Sequence, residues 1–138
     1  MPDLSDASKI SAAGLKAQSI RLRVLSENLA NAQSTGKTPG ESPYRRKLVI
    51  FDNELDRALG FQKVEVRKIR QDQSDFIEKF DPAHPAADSR GIVKFPNVNP
   101  LIELMDMREA QRSYEANLSA METSKRMANR TLDMLQKR

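Results

Sequence analysis

Histidine occurs once in the chain, as His84, between two carboxylates, Asp81 and Asp88, in the run DPAHPAADSRGIVKFPNVNP. An imidazole oriented by an acid is the usual general base, and a His beside two Asp is the start of a metal site. Either chemistry needs more than this run supplies. A base needs a nucleophile or a substrate pocket on a rigid frame, and the only hydroxyl here is Ser89. A metal needs further ligands, but there is no His-x-x-x-His pair and no cysteine in the whole chain. The same residues suit a stiff connector. Pro82, Pro85 and Pro96 fix φ and remove backbone donors. Asp81 and Asp88 suit turns in which a carboxylate accepts backbone amides. Gly91 suits a positive φ where the run enters IVKF. The sequence therefore implies no catalytic residue, no cofactor and no metal site.

The other concentration of charge is YRRK at 44–47. Acidic Glu41, Asp52, Glu54 and Asp56 lie close by in sequence, so a salt-bridged strand end is expected rather than a basic patch. The whole chain has the same balance. Of 138 residues, 23 are basic and 19 acidic, for a net charge of +4, and no segment is one-sided. Nucleic-acid binding usually needs a one-sided basic face. The start, MPDLSDASKISAAGLKAQS, lacks a basic leader followed by an apolar core, and no window approaches the ~18 apolar residues of a membrane span. The expectation is a soluble chain that uses no ordinary secretory signal.

The elements that must position these residues fall into three parts. Residues 5–32 read as a helix that Ser5 or Ser8 starts and the turn-rich NAQSTGKTPGESP ends. Residues 44–98 read as short strands in YRRKLVIF, FQKVEVRKI, DFIEKF and GIVKF. Residues 100–136 read as one long helix, with Asn99 as its cap and Pro100 in its first position. The fold class is α+β. Residues 1–36 form an N-terminal axial helix, 37–99 a small β-rich middle with its Pro-rich loop at 81–99, and 100–138 a C-terminal axial helix. The two helices are expected to pair in a coiled-coil-like manner. All the aromatics but Tyr114 lie in the middle segment, which predicts a small core of its own there.

Projected at 100° per residue, each helix carries two apolar stripes. In the first helix they are Leu15, Leu22, Leu25 and Leu29, and on the nearly opposite side Ile10, Ala13, Ala17, Ile20 and Val24. In the last helix, Met107, Tyr114, Met121, Ala128 and Leu135 recur every seven residues, with Leu118 and Leu132 between them. A thinner stripe of Ala116, Ala120, Thr123, Met127 and Met134 runs beside that seam. Each chain has one long helix for the other to pack against, so one stripe per helix is expected to lack a partner. The last helix would span roughly 55 Å at ~1.5 Å per residue. That exceeds the roughly 35–40 Å width of a compact domain of this length, so the helix projects beyond any core the chain builds; the two-stripe pattern by itself suits a broad-faced bundle helix or a simple antiparallel homodimer as well as a larger assembly.

The runs ISAAGLKAQSIRLRVLSENLANAQST (10–35), PYRRK (43–47), DPAHPAADSRGIVKFPNVNP (81–100) and LMDMREAQRSYEANLSAMETSKRM (104–127) resemble the bacterial flagellar rod proteins. Asn-Leu-Ala-Asn at 28–31 is widespread among flagellar axial proteins, and the Asp-Pro-x-His-Pro-x-Ala-Asp run is more particular. Ala32-Gln33-Ser34-Thr35-Gly36, Ile92 and the start MPDLSDAS depart from the family's usual residues. The resemblance implies a noncatalytic rod subunit whose terminal helices line a central channel. It implies export through the flagellar type III apparatus without a cleaved signal, and assembly in the periplasm. Implied neighbours are copies of itself, the rod proteins FlgB, FlgF and FlgG, the adaptor FliE and the basal-body ring. The expected subunit contacts are Ile10, Leu15, Ala17, Leu22, Val24, Leu25, Asn28, Leu29 and Asn31 in the first helix. In the last they are Met107, Tyr114, Leu118, Met121, Met127, Leu132 and Leu135. Asn31 also suits a left-handed cap.

Overall fold

A computed structural model describes residues 4–56 and 60–136. Helix α1, Leu4–Ala30, has 27 residues without a proline, and Asp6 in its first turn complements the helix dipole. Helix α2, Pro100–Gln136, has 37 residues. Its start is built as expected: the Leu101 amide donates to Asn99 Oδ1 at 3.1 Å, and the Glu103 amide donates to the Asn99 carbonyl at 3.1 Å. α1 ends differently. Among the described residues only Gly40, Gly60 and Gly91 have positive φ, so Asn31 does not take the left-handed conformation. Its side-chain amide donates to the Glu27 carbonyl at 2.8 Å, which also accepts the Asn31 backbone amide at 3.1 Å.

Four strands lie between the helices. β1, Lys47–Asp56, pairs antiparallel with β2, Phe61–Gln71, and the register shifts between Ile50 and Phe51. β3, Ile77–Phe80, pairs antiparallel with β4, Ile92–Phe95. These are two separate two-stranded sheets. A two-stranded sheet has no second layer of its own to bury an aromatic face, and the expected aromatic core in the middle segment does not form. Phe51 and Phe80 are exposed, and Tyr44, Phe76 and Phe95 are only half-buried. Arg45 covers the Phe76 ring at 4.2 Å and Lys79 the Phe95 ring at 4.6 Å. The buried core is aliphatic: Ala17, Val24, Leu25 and Ala32 of the N-terminal part, Val93 and Val98, and Ala110 of α2. Ala17, Val24, Leu25 and Ala110 belong to the paired helices, which make the most extensive contact in the chain, and Val93 lies in β4, which pairs with β3.

The helices run antiparallel. Asn28 meets Glu103, Arg21 meets Asp106 and Glu109, and Gly14 meets Asn117. A Cβ on Gly14 would stand 2.6 Å from the Asn117 side-chain oxygen, so glycine is what allows this close approach. Continued at the same register, the start of α1 falls opposite residues near Met127. The α2 residues beyond it, about 13 Å of helix at ~1.5 Å per residue, run past the described part of α1.

Both α1 stripes are used within the chain. In the leucine stripe Leu25 is buried and Leu15, Leu22 and Leu29 are half-buried. Ala13, Ala17 and Ile20 face Val64, Val66 and Ile69 of β2. The expectation that one α1 stripe lacks a partner is therefore corrected: the β1–β2 hairpin folds along the helix and occupies it. The second α2 stripe is largely open, with Ala116, Ala120, Met127 and Met134 exposed.

The 81–92 run is the connector its residue types suggest. Asp88 Oδ1 accepts the amides of Arg90 at 2.8 Å and Ile92 at 2.9 Å, Asp81 Oδ1 accepts the Ala83 amide at 3.3 Å, and Gly91 has φ of 77°. His84 Nδ1 accepts the Ala86 amide at 3.1 Å. Its imidazole is a turn-former, so His84→Gln should leave the circular dichroism of the purified chain unchanged and its urea midpoint close to that of the parent. Loss of the folded signal would show that the imidazole does more than shape this turn. The Ile92 amide first, then those around Arg90, hold the Asp88 carboxyl below the usual carboxylate value. A depressed carboxylate gives its full stabilisation above its unfolded pKa, ~3.9, and loses it as pH falls through the lower folded value. The side-chain carboxyl carbon shift of Asp88 should therefore hold steady from neutral pH down to about pH 4 and change only below it. A titration of that carboxyl above the ordinary carboxylate value would contradict this assignment.

Candidate assembly site

The middle of the molecule is pinned by one buried side chain. Asn28 is 0% exposed. Its Nδ2 donates to the Lys47 carbonyl at 2.9 Å and to Glu103 Oε2 at 3.0 Å. Its Oδ1 accepts the Lys47 amide at 2.9 Å and the Tyr44 hydroxyl at 2.8 Å. Two donors and two acceptors are the full capacity of a carboxamide. Toward Lys47 the side chain acts as a short piece of strand, pairing with both backbone groups of one residue. It thereby joins α1, the start of β1 and α2.

Glu103 is also 0% exposed, and a buried carboxylate is costly unless it is paired. Arg46 Nε donates to its other oxygen at 2.6 Å. The same guanidinium lies 3.6 Å from Asp72 and 3.8 Å from Asp106, and Arg21 links Asp106 at 3.8 Å to Glu109 at 3.2 Å. Asn97 accepts the Arg46 amide at 2.8 Å and donates to Ser74 Oγ at 2.9 Å. At the edge of the cluster Lys47 pairs with Glu27 at 2.8 Å. That hydrogen bond raises the Lys47 pKa and lowers that of Glu27, while burial pushes the Tyr44 phenol up. YRRK is thus salt-bridged, as expected. Its acidic partners are Glu27, Asp72, Glu103 and Asp106, brought in by the fold, rather than its sequence neighbours.

The expected contact residues divide by depth. Ala17, Val24, Leu25 and Asn28 are buried within the chain itself. Leu15, Leu22, Leu29, Asn31, Met107, Tyr114 and Met121 are half-buried along the helix pair. Ile10, Leu118, Met127, Leu132 and Leu135 are exposed. Leu135 shares the seven-residue phase of the half-buried Met107, Tyr114 and Met121, whereas Leu132 shares that of the exposed Leu104 and Leu118; both lie past the described end of α1. Leu135 is 67% exposed. A cluster that the stripe analysis missed opens at the other end of α2, where Leu101, Ile102, Leu104 and Met105 are all exposed, Leu101 at 66%. Glu103 and Arg46 were missed too. A signal existed: Glu103 shares the seven-residue phase of Ala110 and Asn117, both of which face α1. A carboxylate on an inward phase requires a cation, and YRRK supplies one.

Two long helices are thus locked at one end, with apolar surface left open on one of them. Among the described residues no group of three or more His, Cys, Asp or Glu could hold a metal. Nor is any helix among those residues long and apolar enough to cross a membrane. Residues 89–134 match the family model described as flagellar basal body rod FlgEFG protein C-terminal. The chain is 54% identical over 135 residues to the flagellar basal-body rod protein FlgC of Agrobacterium fabrum, covering 98% of this chain and 97% of that one. It is 39% identical to FlgC of Borreliella burgdorferi, covering 92% and 94%, and 39% identical to FlgC of Bacillus subtilis, covering 91% and 93%. The chain belongs to the FlgC family of flagellar basal-body rod proteins, which are structural proteins of the motility apparatus.

Removing the Asn28 amide leaves the Glu103 carboxylate, the Tyr44 hydroxyl and both Lys47 backbone groups short of a partner. Asn28→Ala should lower unfolding stability by about 2–4 kcal/mol, the scale of unsatisfied buried polar groups, measured by urea titration. A change within roughly 0.5 kcal/mol, ordinary for a surface site, would show that the cluster does not hold the elements together.

Proposed function

We propose that this chain is a structural subunit of the flagellar rod, assembling with copies of itself through its helices into a hollow helical tube that transmits torque across the periplasm. In this reading α1 and α2 form a coiled-coil-like axial unit lining the tube, and the β-rich middle faces outward. The observation that carries it is the apolar surface that a single chain leaves open on α2, at Leu101, Leu104 and Met105 near one end and Met127, Leu132 and Leu135 near the other. Isolated soluble chains rarely keep so much apolar surface on one element without a partner for it. Neighbouring rod proteins FlgB, FlgF and FlgG, the adaptor FliE and the basal-body ring are the further partners of this reading. Delivery is through the flagellar type III export apparatus without a cleaved signal. No catalytic step is assigned to the chain.

The test separates folding from assembly. Leu132 and Leu135 are open in the single chain, so Leu132→Asp/Leu135→Asp should leave the urea midpoint of the purified subunit close to that of the parent chain. In cells the same variant should be exported but fail to complete rods, giving non-motile cells. Normal motility from this variant would remove the distal end of α2 from the subunit contacts.

A further inference from the structure

The hairpin holds α1 in an uneven way. Its root is fixed: Lys47 gives both backbone groups to Asn28, and the Asp72 amide donates to the Arg46 carbonyl at 2.8 Å. Its length is not. Between α1 and β2 runs a groove of about 410 Å³, floored by Ala13, Ala17 and Ile20 on one side and Val64, Val66 and Ile69 on the other. The rim of this groove brings like charges together. Lys16 and Arg23 of α1 stand across from Lys68 of β2, and Glu65 is the one carboxylate among the lining residues. Like charges facing each other oppose closure, and salt screens them. A two-stranded ribbon is itself only marginally stable without a well-packed face. Val64 and Ile69 remain 40% exposed although they line the contact.

From this combination of a fixed root, an under-packed blade and a repelling rim, we propose that the β1–β2 hairpin is a displaceable strap. It covers the Ala13–Ala17–Ile20 stripe of α1 in the single subunit and lifts from it during assembly, when a helix of a second copy takes its place. Each copy brings such a helix, because α2 leaves a stripe through Met127 and Met134 uncovered. The proposal rests on the assembly reading above and adds an order of events: the strap opens before or as the subunit joins. It also fits two apolar stripes on α1, one permanently paired with α2 and one kept covered until a neighbour arrives.

The chain contains no cysteine, so a pair can be placed cleanly. Ile20→Cys/Val66→Cys, bridged across the groove with a reducible bis-maleimide, ties the strap down. Self-association of the purified full chain is followed by light scattering and sedimentation velocity at rising concentration. The bridged protein should remain monomeric, and cleaving the linker should restore association to the level of the unbridged double variant. If the bridged protein associates as readily as the unbridged one, the strap is overturned. If neither the cleaved nor the unbridged protein associates while the parent chain does, the substitutions themselves have removed the α1 contact, which supports the stripe as a docking surface. If the parent chain does not associate either, the assembly reading fails and the strap falls with it. Lys68→Glu gives an independent readout, because it converts a repelling pair into an attracting one. It should slow both amide exchange in 61–71 and association by roughly twofold to fivefold, the scale of one exposed charge pair. Faster association would contradict the proposal.

Discussion

A single carboxamide, buried and fully bonded, sets the geometry of this subunit. Asn28 cannot be desolvated without partners for all four of its hydrogen-bonding positions. The chain supplies them from three separate elements: the backbone of Lys47, the hydroxyl of Tyr44 and the carboxylate of Glu103. That requirement fixes where β1 starts, which turn of α2 lies against the end of α1, and which way the hairpin leaves the helix pair. Glu103 extends the same logic, since a buried charge forces Arg46 inward, and Arg46 reaches Asp72 and Asp106. Such networks define one arrangement more than they add net stability. Here the arrangement defined is the register of two long antiparallel helices.

The consequence is a molecule locked at one end and unfinished at the other. Val93, Val98 and Ala110 are fully covered. Toward the far end of α2 the packing is sparse. Gly14 lets Asn117 approach, but Leu132 and Leu135 are exposed, with no described α1 residue opposite. Apolar residues at this end of α2 stay exposed in the single chain, and the proposed assembly rests on them.

Much of this was legible in the sequence. The long helix was bounded correctly because Asn99-Pro100 is a strong local start and nothing interrupts it afterwards. The Pro-rich run was legible because proline, Asx turns and glycine act within a few residues. The misses have a common cause, in that each depended on contacts distant in sequence. The aromatic residues promised a core in the middle segment, yet two-stranded sheets gave it no depth, and the aliphatic core formed against the helices instead. One α1 stripe, not specified, was expected to be free because nothing local says that a hairpin of 47–71 will fold back along 13–23. Asn28 was singled out, but its partners were not, because they lie 19 and 75 residues away. The left-handed conformation at Asn31 failed for a local reason: its side chain found the Glu27 carbonyl, and the backbone had no need to turn.

Native-state amide exchange on the dilute chain tests this account most directly, because it reports local opening residue by residue. If the carboxamide lock organises the subunit, protection is greatest around 24–30, 46–50 and 100–110, declines along α2, and is least beyond Met127, where no described α1 residue lies opposite. Uniform protection along the whole of α2, or exchange at the lock as fast as at the distal end, would contradict it.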